Sequence, residues 1–174
     1  DGWGNIPFTL SPLTKPERYT RAQTYEWLEQ ELLEIEPNLS EAKAKKSTDA
    51  GYGRVDKAAC WLLLSRLYLN AEVYTGTPQW EKAKSYAKKV MDSSYKLNTQ
   101  SVNGWSAYQM LFMGDNGETD AAYEGIFPLL QDGLTTTSWG TTLFLLAASY
   151  DADMHANPNN PSATNGTDQA WGGN

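Results

Sequence analysis

Residues 58–68 read Ala58-Ala59-Cys60-Trp61-Leu62-Leu63-Leu64-Ser65-Arg66-Leu67-Tyr68, and this run decides the fold. Trp61, Leu64, Ser65 and Tyr68 fall in the order W-x2-L-small-x2-Y, a helical-repeat signature. The small residue lets two helices approach closely, and the flanking Trp and Tyr fill the groove beside it. Ala83 and Ala87 supply small residues on the partner helix. The run is apolar nearly all round, which predicts a helix from about Val55 to about Tyr74 buried on most sides.

Working outward, the partner helix is predicted to begin at Thr77-Pro78, with a hydroxyl at the cap and proline where its missing N–H is not needed. Trp80, Ala83, Ala87, Val90 and Met91 make its inner face, and Lys82, Lys84, Lys88 and Lys89 its outer one. Upstream, Thr20 with Gln23 three residues on is a capping-box pattern. It opens a helix whose Tyr25, Leu28, Leu32 and Ile35 form one apolar face, with Glu26, Glu29, Glu31 and Glu34 projecting elsewhere. Pro37 ends that helix. Residues 1–19 read as an extended lead-in punctuated by Pro7, Pro12 and Pro16. Lys43, Lys45 and Lys46 belong to a solvated linker. The fold class is mainly α, built on tetratricopeptide-like helical pairs. The turn between the paired helices is several residues longer than that repeat has, and its closing Pro is missing. One such pair cannot bury its own faces and needs stacked neighbours.

The character changes after Leu97. All 14 Lys and Arg lie between Lys15 and Lys96, and the net charge is −7. The first part, 1–96, therefore sets fourteen cations against thirteen acids, whereas 97–174 carries eight acids and no cation. A surface without cations repels phosphate backbones, which argues against nucleic acid as a partner, and also against anionic lipid and acidic polysaccharide. The same stretch holds nine aromatic residues among Asn, Thr, Ser, Gly and Asp, a composition suited to an uncharged polar ligand and equally to an ordinary acidic surface. A short helix is predicted over Trp105–Met113, a turn at Asp115–Glu118, and an irregular edge strand at Glu124–Leu130. Residues 141–148 are an apolar run of undecided type, and 151–174 read as a long loop. The chain thus divides into a helical scaffold, 1–96, and a largely irregular, aromatic-rich ligand-binding portion, 97–174, within one fold.

Catalytic chemistry finds little to work with. His155 is the sole histidine and Cys60 the sole cysteine. An internal disulfide is excluded, and a zinc site or a Ser–His or Cys–His arrangement would rest on one residue. Cys60, inside an apolar run, reads as a small core residue. Glu124 with Asp132, or Asp151 with Asp153, supply paired carboxylates for a glycosidase, but counting does not fix their separation. No cofactor is implied. The cluster Asp115–Asp120 has oxygen ligands for Ca²⁺ without the EF-hand order, and reads more simply as a turn. No run of 18 apolar residues exists, so no membrane-spanning helix is predicted.

Several segments together resemble one family in order. Asp1-Gly2-Trp3-Gly4-Asn5-Ile6-Pro7-Phe8 is similar to the opening turn of SusD-like (RagB/SusD) proteins. Gly53-Arg54-Val55-Asp56-Lys57-Ala58-Ala59 running into Leu62–Leu69 resembles their repeat helix, and Trp80-Glu81-Lys82-Ala83 with Tyr86-Ala87 its partner. Glu124–Pro128 and Ser138-Trp139-Gly140-Thr141-Thr142 resemble their downstream segments. The resemblance implies a central fragment of a longer, surface-exposed, lipid-anchored outer-membrane protein with an α/α superhelix. Such a protein binds oligosaccharide or polysaccharide without catalysis and passes it to a SusC-like TonB-dependent transporter.

Sugar recognition needs flat apolar ring faces plus polar groups that fix hydroxyls, and loop aromatics serve better than those on inner helix faces. Tyr150 and Trp171, at the ends of the long loop, resemble the family's glycan platform. Trp139, Asp151 and Asp153 complete the expected ligand-binding set. Trp27, Trp61 and Trp80 are assigned to core packing, and Trp3 and Trp105 stay undecided. The other readings are a helical-repeat adaptor for a protein or peptide, resting on the Trp61–Tyr68 pattern, and a glycosidase.

Overall fold

The computed structural model describes residues 4–130. Two short strands, β1 (Ile6–Phe8) and β2 (Glu17–Tyr19), precede α1 (Arg21–Ile35), α2 (Lys57–Leu69), α3 (Ala71–Thr75), α4 (Trp80–Met91) and α5 (Ala107–Met110). Single 3-10 turns lie at Glu36–Asn38 and Asp120–Glu124. The lead-in is extended as expected, and its two strands also pair antiparallel, Ile6 opposite Tyr19 and Phe8 opposite Glu17. Phe8 stacks on Tyr19 with ring centroids 4.3 Å apart and meets Trp27 of α1 edge-on at 4.8 Å. These ring contacts hold the hairpin against the first helix.

α1 starts where its capping box places it: the Thr20 hydroxyl accepts the Gln23 N–H, and the Gln23 amide oxygen accepts the Thr20 N–H. The long helix predicted to Tyr74 is broken at Asn70. Its side-chain amide donates to the Arg66 carbonyl at 2.9 Å, competing with the helix ladder. α3 then ends on Gly76 at φ +77°, a left-handed cap. α4 starts at Trp80 with Gln79 as its cap residue, not at Thr77-Pro78. The Thr77 N–H and carbonyl are both engaged by the Thr75 hydroxyl, so Thr77 belongs to the end of α3. Glu124–Leu130 forms no strand: a 3-10 turn runs to Glu124 and irregular chain follows.

The repeat signature forms the core. Leu64, Tyr68, Ala71 and Ala83 are buried with Tyr25 and Cys60, and the Ser65 hydroxyl donates to the Ala83 carbonyl at 3.0 Å. The small residue is therefore where α2 and α4 meet. Ser65→Leu is expected to push the pair apart and cost about 1–3 kcal/mol, visible as a lower urea midpoint; Ser65→Ala should cost about 1 kcal/mol or less. Cys60 is the core residue expected. Its thiol is buried, donates to the Leu32 carbonyl at 3.3 Å, and is pushed up in pKa by that burial and by Glu36.

Two charged layers, one heptad apart on all three helices, stitch the scaffold. In one, Glu29 of α1 accepts the Tyr68 hydroxyl (2.8 Å) and Lys82 Nζ (3.1 Å), with Lys82 5.0 Å from the Tyr68 ring centroid. In the other, Glu36 accepts Trp61 Nε1 (2.7 Å), Lys89 Nζ (3.0 Å) and the Tyr86 hydroxyl (3.4 Å). Glu29, Lys82 and Lys89 thus turn toward neighbouring helices instead of projecting away. Their aliphatic stems border the apolar stripe while their charges pair. Lys46 likewise leaves its solvated linker to pair with Asp120 at 2.7 Å, 5.2 Å from the Tyr123 ring centroid.

Glu36 sets an acid limit on this scaffold. Burial pushes its carboxyl up, but the hydrogen bonds from Trp61 and Lys89, the Lys89 charge and the Tyr86 hydroxyl outweigh it and hold the group below the ordinary carboxylate range. A depressed folded-state pKa contributes stability that is present above the unfolded value, near 4.5, and is lost as pH falls through the folded one. Denaturation midpoints of the wild type should fall below about pH 4.5. Glu36→Gln should be less stable at pH 7 and show a shallower acid slope; an unchanged slope would remove Glu36 from that role.

Several predicted inner positions are exposed. Trp80 is 59% and Met91 80% exposed on α4, and Leu62, Leu63 and Leu69 of α2 are 41–60% exposed. Among the described residues α2 is covered by α1 and α4, not on most sides. That is what an isolated repeat pair leaves open.

Candidate functional site

The described part of the aromatic-rich stretch is built from Leu97 onward. Its chain is tied to the scaffold by the Lys96 N–H on the Tyr123 carbonyl (3.2 Å) and the Ser47 N–H on the Gly117 carbonyl (2.7 Å). The Asn98 N–H donates to a Glu124 carboxylate oxygen at 2.9 Å. Asn103 and Gly104, at φ +51° and +85°, form a two-residue turn in which Val102 and Trp105 exchange backbone hydrogen bonds of 3.1 and 2.9 Å. Both turn residues need the left-handed region, which Asn and Gly reach at least cost. Trp105 therefore sits at the turn, outside the helix predicted from it, and is half-exposed.

The helix itself, α5, begins after Ser106, which makes a capping box with Gln109. Met110 turns inward and is buried, so Tyr108 and Phe112, four apart, share the outer side. Their rings meet edge-on at 5.2 Å and remain 71% and 72% exposed. The Asn98 amide donates to the Ala107 carbonyl (2.9 Å) and the Asn116 amide to the Leu111 carbonyl (2.7 Å), fixing both ends of this segment. Two large rings held in solvent by a short, pinned helix give apolar faces for an uncharged ligand to stack on. The sequence signal for them is the capping box before an i, i+4 aromatic pair.

Tyr150, Trp171, Trp139, Asp151 and Asp153 lie outside the described residues, as do Trp3, His155 and Asp132. Trp27 and Trp61 are half-buried against Phe8 and the Glu36 layer, beside the core cluster rather than within it. Trp80 is not, because its position at the first residue of α4 carries it past the end of the neighbouring core. Glu124 has a structural partner in the Asn98 N–H. In Asp115–Asp120, the Glu118 N–H donates to the Asp115 carbonyl at 2.9 Å, the expected turn, and Asp120 is held below its ordinary pKa by the Lys46 hydrogen bond. Among the described residues no group of three or more His, Cys, Asp or Glu is placed to hold a metal ion, and no helix is long and apolar enough to cross a membrane.

No protein-family model matches the chain. Over 158 residues, 88% of its length, the chain is 43% identical to the starch-binding protein SusD of Bacteroides thetaiotaomicron. It spans about a quarter, 26%, of that relative's length. The match is longer than the described span and so extends beyond it.

Proposed function

The chain belongs to the SusD-like family, and from that premise we propose that it is part of a cell-surface protein that binds oligosaccharide for nutrient uptake and does no chemistry on it. The observation that carries this reading is the 43% identity to a starch-binding protein across nearly the whole chain. The aromatic-rich, cation-free composition after Leu97 supports it, since a neutral polyol offers C–H faces to rings and hydroxyls to Asn, Asp and Thr without needing a counter-charge. Within this reading Tyr150, Trp171 and Trp139 supply the rings, Asp151 and Asp153 take sugar hydroxyls, and no metal or other cofactor takes part. The family resemblance further supports an outer-membrane, lipid-anchored location and delivery of the sugar to a SusC-like TonB-dependent transporter.

Isothermal titration of the full-length protein with maltooligosaccharides and other neutral glycans tests the reading. Saturable binding is expected, with no reducing ends released during incubation. A folded protein that binds none of these sugars would overturn the ligand assignment, and sugar release abolished by Glu124→Gln would overturn the absence of catalysis.

A further inference from the structure

Tyr108 and Phe112 are 71% and 72% exposed, and no other aromatic ring among the described residues is as open to solvent. They are fixed there. Met110 is buried on the inner side of α5, Ser106 and Gln109 close the capping box, and the Asn98 and Asn116 amides fasten the two ends. A ring ordered before binding loses little freedom on contact. The surround is as specific as the rings. Residues 97–114 carry no charged side chain in a protein whose residues are 20% charged, yet Thr99, Gln100, Ser101, Asn103, Ser106 and Gln109 are all exposed. Gln109 lies three residues before Phe112, its neighbour on the helix surface. Its amide oxygen accepts from the Ser106 N–H and hydroxyl at 2.9 and 2.8 Å, which leaves its NH₂ group to an outside acceptor.

We propose that Tyr108 and Phe112 form a second sugar contact, selective for long neutral glycans, on residues distinct from the proposed Tyr150 and Trp171 platform. The inference rests on the glycan reading above and adds ligand length to it. The two ring planes are inclined at 65° with centroids 5.2 Å apart, so a single pyranose lies flat on one ring or the other, not on both. Successive units of a chain take one face each, with C–H groups on the rings and hydroxyls toward the Gln109 amide. Rings this open cover only one side of each sugar, whereas a pocket encloses most of its ligand, so the contact is weak by itself. A long chain already held by the protein meets it at high effective concentration, and there it adds to the affinity. The uncharged surround matches a polyol, which has no charge to answer.

Retardation of the full-length protein in native gels containing soluble starch measures the polymer, and titration with maltotriose measures a short chain. Tyr108→Ala with Phe112→Ala is expected to weaken starch affinity about tenfold, and each single variant about threefold. The exchanged pair, Tyr108→Phe with Phe112→Tyr, keeps both rings and should retain starch like the wild type. In a Tyr150→Ala, Trp171→Ala background, the residual retention by starch should disappear when Tyr108→Ala and Phe112→Ala are added. Circular dichroism checks the fold of every variant. Starch affinity within about twofold of wild type in the folded alanine pair would overturn the inference, because a polymer contact worth having must exceed that. So would equal losses for starch and maltotriose, or a changed oligomeric state with starch binding intact, which would make the rings a protein interface. A wild type that binds neither sugar overturns the glycan reading itself, and this inference with it.

Discussion

Asp56→Ala is expected to destabilise the chain by about 3–5 kcal/mol, the largest loss from any single polar side chain among the described residues. Asp56 is 2% exposed and serves three donors. One carboxylate oxygen accepts the Ala58 N–H at 2.8 Å and so caps α2; the other accepts the Lys43 N–H at 3.1 Å and the Tyr95 hydroxyl at 2.9 Å. Removing the cap alone costs about 1 kcal/mol. Leaving two further enclosed donors unpaired adds about 1–3 kcal/mol each, partly relieved where water enters. The carboxylate thus joins the start of the repeat helix, the linker before it and the chain just beyond α4. Burial, reinforced by the hydrogen bond to Asp56, raises the Tyr95 phenol well above its ordinary pKa, so it stays a donor at neutral pH. Tyr95→Phe should cost only about 1 kcal/mol, and the double variant should show a coupling of about 1 kcal/mol or more. Urea unfolding measures all three. A loss under about 1 kcal/mol for Asp56→Ala would mean that the linker and Tyr95 relax freely away from α2.

What the sequence disclosed follows the range of the interaction. The capping box at Thr20 and the turn at Asp115–Glu118 depend on neighbours within one turn, and each stands where its local chemistry puts it; Ser65 is legible through the repeat pattern around it, although the group it meets, the Ala83 carbonyl, lies on another helix. Helix faces were legible only where a partner is present. Tyr25, Leu64, Tyr68 and Ala83 are buried because α1, α2 and α4 meet there, whereas Trp80, Met91 and Leu69 follow the same apolar period and face solvent. Periodicity states which side is apolar, not what covers it. The Glu29 and Glu36 layers were missed for a related reason. On a single helix a glutamate reads as solvated, and only when Tyr68 with Lys82, and Trp61 with Lys89, are seen at the same seven-residue spacing does its inward role emerge. The Asn103-Gly104 dipeptide carries turn chemistry of its own, and that turn is what keeps Trp105 out of the helix its apolar spacing suggests. The proposed ligand residues are the least legible of all, since rings and hydroxyls that would meet a sugar follow no backbone period.

Tyr150→Ala and Trp171→Ala are each expected to weaken binding of a neutral oligosaccharide by about thirtyfold, the roughly 2 kcal/mol that a central aromatic anchor contributes. The double variant should bring titration heats to background. Asp151→Ala and Asp153→Ala should cost less, about five- to tenfold each, as expected for a hydrogen bond exchanged with water. The charge pattern supplies an independent check. With no cation after Leu97, and the proposed ligand uncharged, raising salt from 50 to 500 mM should leave the affinity within about twofold, whereas an anionic ligand would lose affinity steeply. Tyr108→Ala with Phe112→Ala separates the two ring clusters on the same chain. If the sugar lies on the proposed Tyr150 and Trp171 platform, this exposed pair changes affinity less than about threefold and leaves stability nearly unchanged. If it abolishes binding while Tyr150→Ala and Trp171→Ala do not, the sugar stacks on Tyr108 and Phe112, and Tyr150 and Trp171 are not its platform.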